Sequence, residues 1–496
     1  MSKGMLPRAA VALLAAATAG CAVGPDFQRM AAPAVNRYTA EPLAMQAESV
    51  PIIGGSAQRL VEGGDIPVQW WTLFGSTALD NLVASALKSN PDLQAAEAAL
   101  HAAQENAAAQ RGAYLPNIDA HLTPSRQKIA TPLASPVASG SDMYTLRTAQ
   151  LNIAYVADVF GGTRRQVEAA AAQADVARFQ RHAVYLTLTS NLVAAVIQEA
   201  SLRAQLRATR ELVALASQQL DIIKKLQGAG QLGAAEVSAQ EAALAQAEAT
   251  LPPLEKQLAQ QRDLLAALAG RFPAEAFSQE FELDTLELPG ELPLSLPAQL
   301  IRQRPDIRAA EAQLHAASAL VGVATAARLP NISLSATLGS SALDASTLFK
   351  AGTGFWSVGA DLVQPVFKGG TLMHQQQAAV AAYDQAAAQY RGTVLTAFQN
   401  VADTLHAIDG DAKTLRAMLT AERAAHRSLA IARRQWEVGA IAYPLVLQAQ
   451  QAYQQAAIGL VQAQASRYAD TVALFQALGG GWWNGEDRES EAKAAH

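Results

Sequence analysis

Apolar and polar residues alternate one for one in four stretches of the chain. Within 332–338, Ile332, Leu334, Ala336 and Leu338 share one face while Ser333, Ser335 and Thr337 share the other, a two-residue period that predicts a two-faced β-strand. Trp356, Val358, Ala360 and Leu362 alternate in the same way with Ser357, Gly359 and Asp361. So do Ile118, Ala120 and Leu122 with Asp119, His121 and Thr123, and Leu151, Ile153 and Tyr155 with Gln150, Asn152 and Ala154. Elsewhere the period is helical. Helices are predicted from 79 to about 111 and from 296 to about 328, each begun or interrupted at an X-Pro-Asp signal and stopped before Leu-Pro-Asn, where proline cannot continue a helix. Much longer helices are predicted from Gly162 to about Leu226 and from Gly370 to about Val438, each on the order of 100 Å at 1.5 Å per residue. Turns at Gly228-Ala-Gly230 and Val438-Gly439 reverse the chain into return helices that end near Gly270 and Leu478. Pro252-Pro253 is expected to kink the first return helix or unwind a turn of it. The Ser-, Pro- and Gly-rich stretches 124–144 and 339–355 are expected to be exposed loops.

These elements occur twice in the same order. The stretch 90–103 aligns without gaps on 304–317, and Pro91/Pro305, Asp92/Asp306, Glu97/Glu311, Leu100/Leu314 and His101/His315 match even when the alanines are discounted. Leu-Pro-Asn-Ile at 115–118 and 329–332 falls at the same offset. The expected organisation is a signal peptide at 1–20, an extended segment at 21–75, a first structural repeat at 76–290, a second at 291–482, and a polar tail at 483–496.

The start of the chain is an address. Lys3 and Arg8 precede an apolar stretch from 9 to 19 that is too short to span a bilayer, and small residues lead into Cys21, the only cysteine of 496 residues. Thr18-Ala19-Gly20-Cys21 resembles a bacterial lipoprotein cleavage site, although Thr18 stands where that pattern prefers Leu. The resemblance makes Cys21 the lipid-bearing mature N-terminus, and Ala22 in place of Asp favours the outer membrane. One cysteine excludes an intrachain disulfide and a thiolate metal cluster. A net charge of −5 gives no basic face for nucleic acid.

Each two-faced strand is about long enough to cross an outer membrane, which takes roughly 9 to 11 tilted residues. Four strands cannot close a barrel, and an open edge in lipid leaves backbone groups unpaired at several kcal/mol each. Strands of other copies must complete the ring, and three copies give twelve. In its motifs the chain resembles the outer-membrane factors of tripartite efflux pumps, the TolC-like channel-tunnel family. The resemblance rests on Cys21-Ala-Val-Gly-Pro25, Trp70-Trp71, Leu79-Asp80-Asn81-Leu82, both Leu-Pro-Asn-Ile segments, Pro365-Val-Phe-Lys-Gly-Gly370, Val438-Gly439 with Tyr443, and the Gly-rich run before Trp482. It implies a mixed α/β membrane protein: a homotrimer whose 12-stranded outer-membrane β-barrel, four strands per chain, continues into a long α-helical periplasmic barrel. It also implies a periplasmic adaptor protein and an inner-membrane transporter as partners besides outer-membrane lipid, with no enzymatic activity, cofactor or metal.

By the same resemblance both reversals lie at the periplasmic tip, where the adaptor docks. The docking candidates are Gly230 and Leu232 in the first half and Val438, Gly439 and Tyr443 in the second, because an exposed turn carrying Leu and Tyr invites a partner. An entrance ring is expected nearby. Relatives place aspartates there, whereas this chain offers Arg433, Arg434 and Glu437, so any ring of arginines must be solvated or paired, with a solvated outer face as the plainer alternative. Gly228-Ala-Gly-Gln-Leu-Gly233 matches G-x-G-x-x-G, but it follows a helix with Leu212, Leu215, Leu220, Ile223 and Leu226 at helical spacing, which suits a turn and not a dinucleotide site. His101 and His315 each stand alone among alanines and are expected to pack or face solvent. The leading function is a passive exit duct for drugs or other small toxic compounds. The alternatives are an exit duct of type I protein secretion and a helical periplasmic scaffold without a pore.

Overall fold

The computed structural model describes residues 22–42, 44–129, 143–275 and 279–485; the expected signal peptide at 1–20, Cys21, the middle of the 124–144 stretch and the tail beyond 485 lie outside them. In the first half the elements are β1 (Arg59–Glu62), α1 (Thr77–Ser89), α2 (Pro91–Arg111), β2 (Asn117–Lys128), β3 (Met143–Ala157), α3 (Gly162–Gly228), α4 (Ala234–Glu248) and α5 (Leu251–Leu268). The second half follows with β4 (Glu291–Leu294), α6 (Pro297–Gln303), α7 (Pro305–Ala326), β5 (Asn331–Ala342), β6 (Gly354–Val363), α8 (Thr371–Glu437) and α9 (Tyr443–Ala477). The succession helix, break, helix, strand, strand, long helix and return helix therefore occurs twice, and α3 and α8 have 67 residues each. Among the described residues before Gly75 the named elements are β1 and a 3-10 turn at Trp70–Phe74. Pro252-Pro253 opens α5 directly after α4 has ended at Glu248, because neither ring nitrogen can donate within a helix interior.

The chain forms two compact units that cut across its halves: one takes 22–30, 99–177 and 309–391 of the described residues, and the other takes the remainder. The first unit carries a four-stranded antiparallel sheet of order β2-β3-β5-β6. Its register sets Ala120 opposite Leu151, Leu151 opposite Leu338, and Leu338 opposite Trp356. Directly opposed residues point to the same side, so the apolar positions of all four strands share one face. Leu122, Leu338, Trp356 and Val358 on that face are largely exposed, and Asp119, His121, Thr337 and Asp361 stand on the other. Two strands run past their expected ends. Pro124 lies inside β2, an edge strand of this sheet, which is where strand prolines are tolerated. β5 continues through Gly339 to Ala342, so the second loop is confined to 343–353.

In the same unit the N-terminal segment is pinned to helices. Arg165, almost fully buried, bonds Asp26 at 2.6 Å and Glu168 at 2.8 Å, and Phe27 stacks on His315 with ring centroids 4.4 Å apart. His315 also meets Glu168 at 2.8 Å, while His101 stays exposed beside Glu105, so the two matched histidines have different surroundings.

The second unit gathers its core around Trp70, Phe74, Tyr468 and Phe475, with β1 and β4 paired in parallel beside it. Arg467 of α9, fully buried, donates to the carbonyls of Gly54 and Ser56 and to Gln58 Oε1, holding the segment before β1. Both X-Pro-Asp breaks use one device. Asn90 interrupts the first helix and donates from Nδ2 to Leu268 O at 3.0 Å; Arg304 interrupts the second and donates from Nη1 to Ala477 O at 2.8 Å. Each break thus caps the C-terminal end of the return helix in its own half, where helix carbonyls lack partners.

Candidate functional site

The two helix reversals are built alike. At the end of α3, Gly230 N donates to Gln227 O at 2.8 Å and Gln231 N to Leu226 O at 2.9 Å; at the end of α8, Gly439 N donates to Trp436 O at 2.9 Å and Ala440 N to Gln435 O at 2.8 Å. These paired bonds close the last carbonyls of a helix around one left-handed residue. Gly230 and Gly439 occupy that position with φ of 74° and 71°. A Cβ at either would meet nothing within 4 Å, so backbone conformation and not crowding selects glycine.

The reversals meet in one apolar cluster. Leu220 and Ile223 from α3, Val237 from α4, Leu429 and Ala432 from α8, and Tyr443 and Val446 from α9 are buried together, with Leu232, Trp436 and Ile441 packed against them. Tyr443 is 3% exposed, contrary to the expectation of an exposed aromatic. Its ring lies 5.2 Å from that of Trp436, and its hydroxyl donates to Gln240 Oε1 while Gln240 Nε2 donates to Ala216 O. Tyr443 therefore ties the second hairpin to the first. Burial pushes its phenol well above the ordinary range, with the charge of Arg433 opposing. Leu232 is half-buried, while Gly230, Gly439 and Val438, at 75%, are exposed.

The three charged candidates separate. Arg433 is half-buried; burial lowers its pKa against the opposing influence of Tyr443 and Glu437, and its Nε and Nη2 have no hydrogen-bond partner among the described residues. Arg434 and Glu437 are exposed. Trp436 and Gln240 are the contributors that sequence reasoning missed. The tryptophan one residue before the end of α8 was a usable signal, whereas nothing in the Ala- and Glu-rich sequence of α4 distinguishes Gln240.

A sheet with one continuous apolar face, two helices of 67 residues and two matched reversals define a class, the channel-tunnel proteins of the outer membrane. The chain belongs to the Outer membrane efflux protein family, whose profile matches residues 82–271 and 296–480. It is 33% identical over 429 residues to the Pyoverdine export outer membrane protein OpmQ of Pseudomonas aeruginosa, covering 86% of this chain and 89% of that protein. It is 29% identical over 475 residues to the Toluene efflux pump outer membrane protein TtgF of Pseudomonas putida, covering 95% and 96%. The solved outer-membrane channel OprN superposes with a TM-score of 0.83 at 26% identity, covering 93% of this chain and all of the other. The chain is an outer-membrane efflux component with the TolC-like fold.

Proposed function

We propose that three copies of this chain close a twelve-stranded barrel in the outer membrane and form the passive exit duct of a tripartite efflux system. The carrying observation is the sheet: its exposed face is apolar across all four strands, and β2 and β6 bear edges that no described strand pairs. Such edges are costly in lipid, and identical neighbours satisfy them with the fewest new parts. The twofold succession of elements supports a duplicated plan with boundaries at 76–290 and 291–482, so that three chains supply six similar helical pairs around one axis. The cargoes named for OpmQ and TtgF are small molecules, which favours drugs or other small toxic compounds over secreted polypeptides.

On this reading an inner-membrane transporter loads the duct through a periplasmic adaptor. The adaptor meets the surface formed by Gly230, Val438 and Gly439, with Leu232 at its margin and Tyr443 holding the two turns together from behind. Arg434 and Glu437 present charge beside that surface, and Arg433 braces Tyr443. Cys21 carries the lipid anchor. Deleting the gene should sensitise cells to pump substrates without changing other outer-membrane proteins; unchanged susceptibility in a strain lacking other exit ducts would contradict the function. Cys21→Ser should abolish fatty-acid labelling, and persistent labelling would remove the anchor. Arg434→Ala should shift the reversal potential of single channels toward cations, and an unshifted potential would place Arg434 outside the conduction path.

A further inference from the structure

The apolar face of the sheet changes character at one end. Its side chains include no carboxylate on any of the four strands, and its only cations, Arg126, Lys128 and Arg147, all stand at the end nearest the β2–β3 and β5–β6 connections. Arg147 stands opposite Pro124, two residues past Leu122, so the basic end begins about 7 Å beyond the last leucine of β2 at 3.4 Å per residue, and Arg126 and Lys128 extend it. Arg147 also donates to Leu343 O, which fixes the start of the β5–β6 connection over this end.

That connection covers a groove of about 770 Å³. Leu122, Leu151 and Leu338 form its floor, Leu348 and Phe349 overhang it, and Lys350 is its only cation, with no carboxylate in its lining. Phe349 has φ of 74°, the one non-glycine residue in the left-handed region among those described. It is held there by its own N–H, which donates to Ser340 Oγ at 3.1 Å, while Ser340 Oγ bonds Thr353 Oγ1 at 2.7 Å. A bulky side chain in this conformation is strained, and the bond to Ser340 leaves its ring 75% exposed beside the apolar floor.

We propose that this groove binds a phosphorylated glycolipid of the outer leaflet, with an acyl chain laid on Leu122, Leu151 and Leu338 under Phe349 and its phosphate met by Lys350 of the lining, with Arg126 in the basic end beyond the groove reinforcing the attraction. The inference rests on the reading that the apolar face meets lipid, and it adds a specific site to that reading. Three independent features converge. The floor is apolar and continuous with the exposed face. The cations are confined to one end of the face, the end at which a lipid of the adjoining leaflet presents its phosphate. The strained Phe349 closes the groove from the connection side. The groove is floored by β2, β3 and β5 and reaches β6 only at its first residue, Gly354.

The full-length protein, purified in detergent and titrated with diphosphoryl lipid A, should bind about one lipid per chain by native mass spectrometry. Dephosphorylated lipid A and phosphatidylglycerol should bind at least tenfold more weakly. Lys350→Glu with Arg126→Glu should abolish the preference for phosphate. Phe349→Gly, whose backbone accepts a positive φ, should fold normally and lose at least tenfold in affinity for both lipid A forms. Val358→Ala, on the same face but outside the groove, should bind as the wild type does. Equal binding of all three lipids, wild-type affinity in Phe349→Gly, or an equal loss in Val358→Ala would overturn the site while leaving a membrane-bound oligomer intact. Wild-type protein that is not recovered from the outer membrane as an oligomer would overturn the channel reading itself.

Discussion

The four-stranded sheet and the paired helix reversals treat their apolar side chains in opposite ways. At the reversals Ile223, Tyr443 and Val446 are buried, the last helix carbonyls find donors, and the polar end of Tyr443 is satisfied by Gln240. In the sheet Leu338, Trp356 and Val358 are more than half exposed, and both edges lack a neighbour among the described strands. A single chain thus completes the contacts between its two hairpins and leaves its sheet incomplete. The difference separates what one copy folds by itself from what, on the proposed reading, only assembly and membrane insertion finish.

Substitutions on each side test this separation. Tyr443→Ala should carry the largest effect, about 3 to 5 kcal/mol, since it removes a buried ring and leaves Gln240 without its donor. Hydrogen exchange should report it as opening of the hairpins at α4 and α9 while the sheet stays protected; loss of sheet protection to the same extent would break the comparison. Leu334→Arg should cost about 2 to 4 kcal/mol if that face meets lipid near the midplane, whereas Ser335→Arg on the opposite face should be tolerated. The heat resistance of the assembled protein reads both, and equal tolerance would refute the assignment of faces. Gly439→Ala should be the mildest, about 1 to 2 kcal/mol from the left-handed backbone alone, because a methyl group there has open space around it. Folding and export should survive it, and a much larger loss measured by denaturant titration would mean that Gly439 is crowded by something outside the single chain.

The alternation of Ile332 to Leu338 and its three partners was readable from the sequence because a two-residue period directly encodes a two-faced strand. The lengths of α3 and α8 were readable because proline and glycine punctuate the chain at both ends. The strand ends were less so: Pro124 reads as a loop residue until β2 is known to lie at a sheet edge. Within the candidate site, Gly230 and Gly439 announced themselves through turn chemistry. The burial of Tyr443 did not, since it depends on Gln240, which lies 203 residues away in the chain, and on Trp436 packing across the turn. The half-burial of Arg433 beside the exposed Arg434 is likewise a tertiary effect that leaves no local trace in the sequence. Matching roles with unlike residues were also hidden. Asn90 and Arg304 cap their return helices from equivalent breaks, but only the Pro-Asp that follows them is shared.

The central claim is that the unpaired edges of β2 and β6 are satisfied by other copies of this chain. The most direct measurement is the number of chains in the detergent-solubilised particle, read from its mass under native conditions. The account predicts three per particle, with no stable monomer while the barrel is intact. A particle holding one chain, with the sheet folded and the protein still conducting in a planar bilayer, would contradict it.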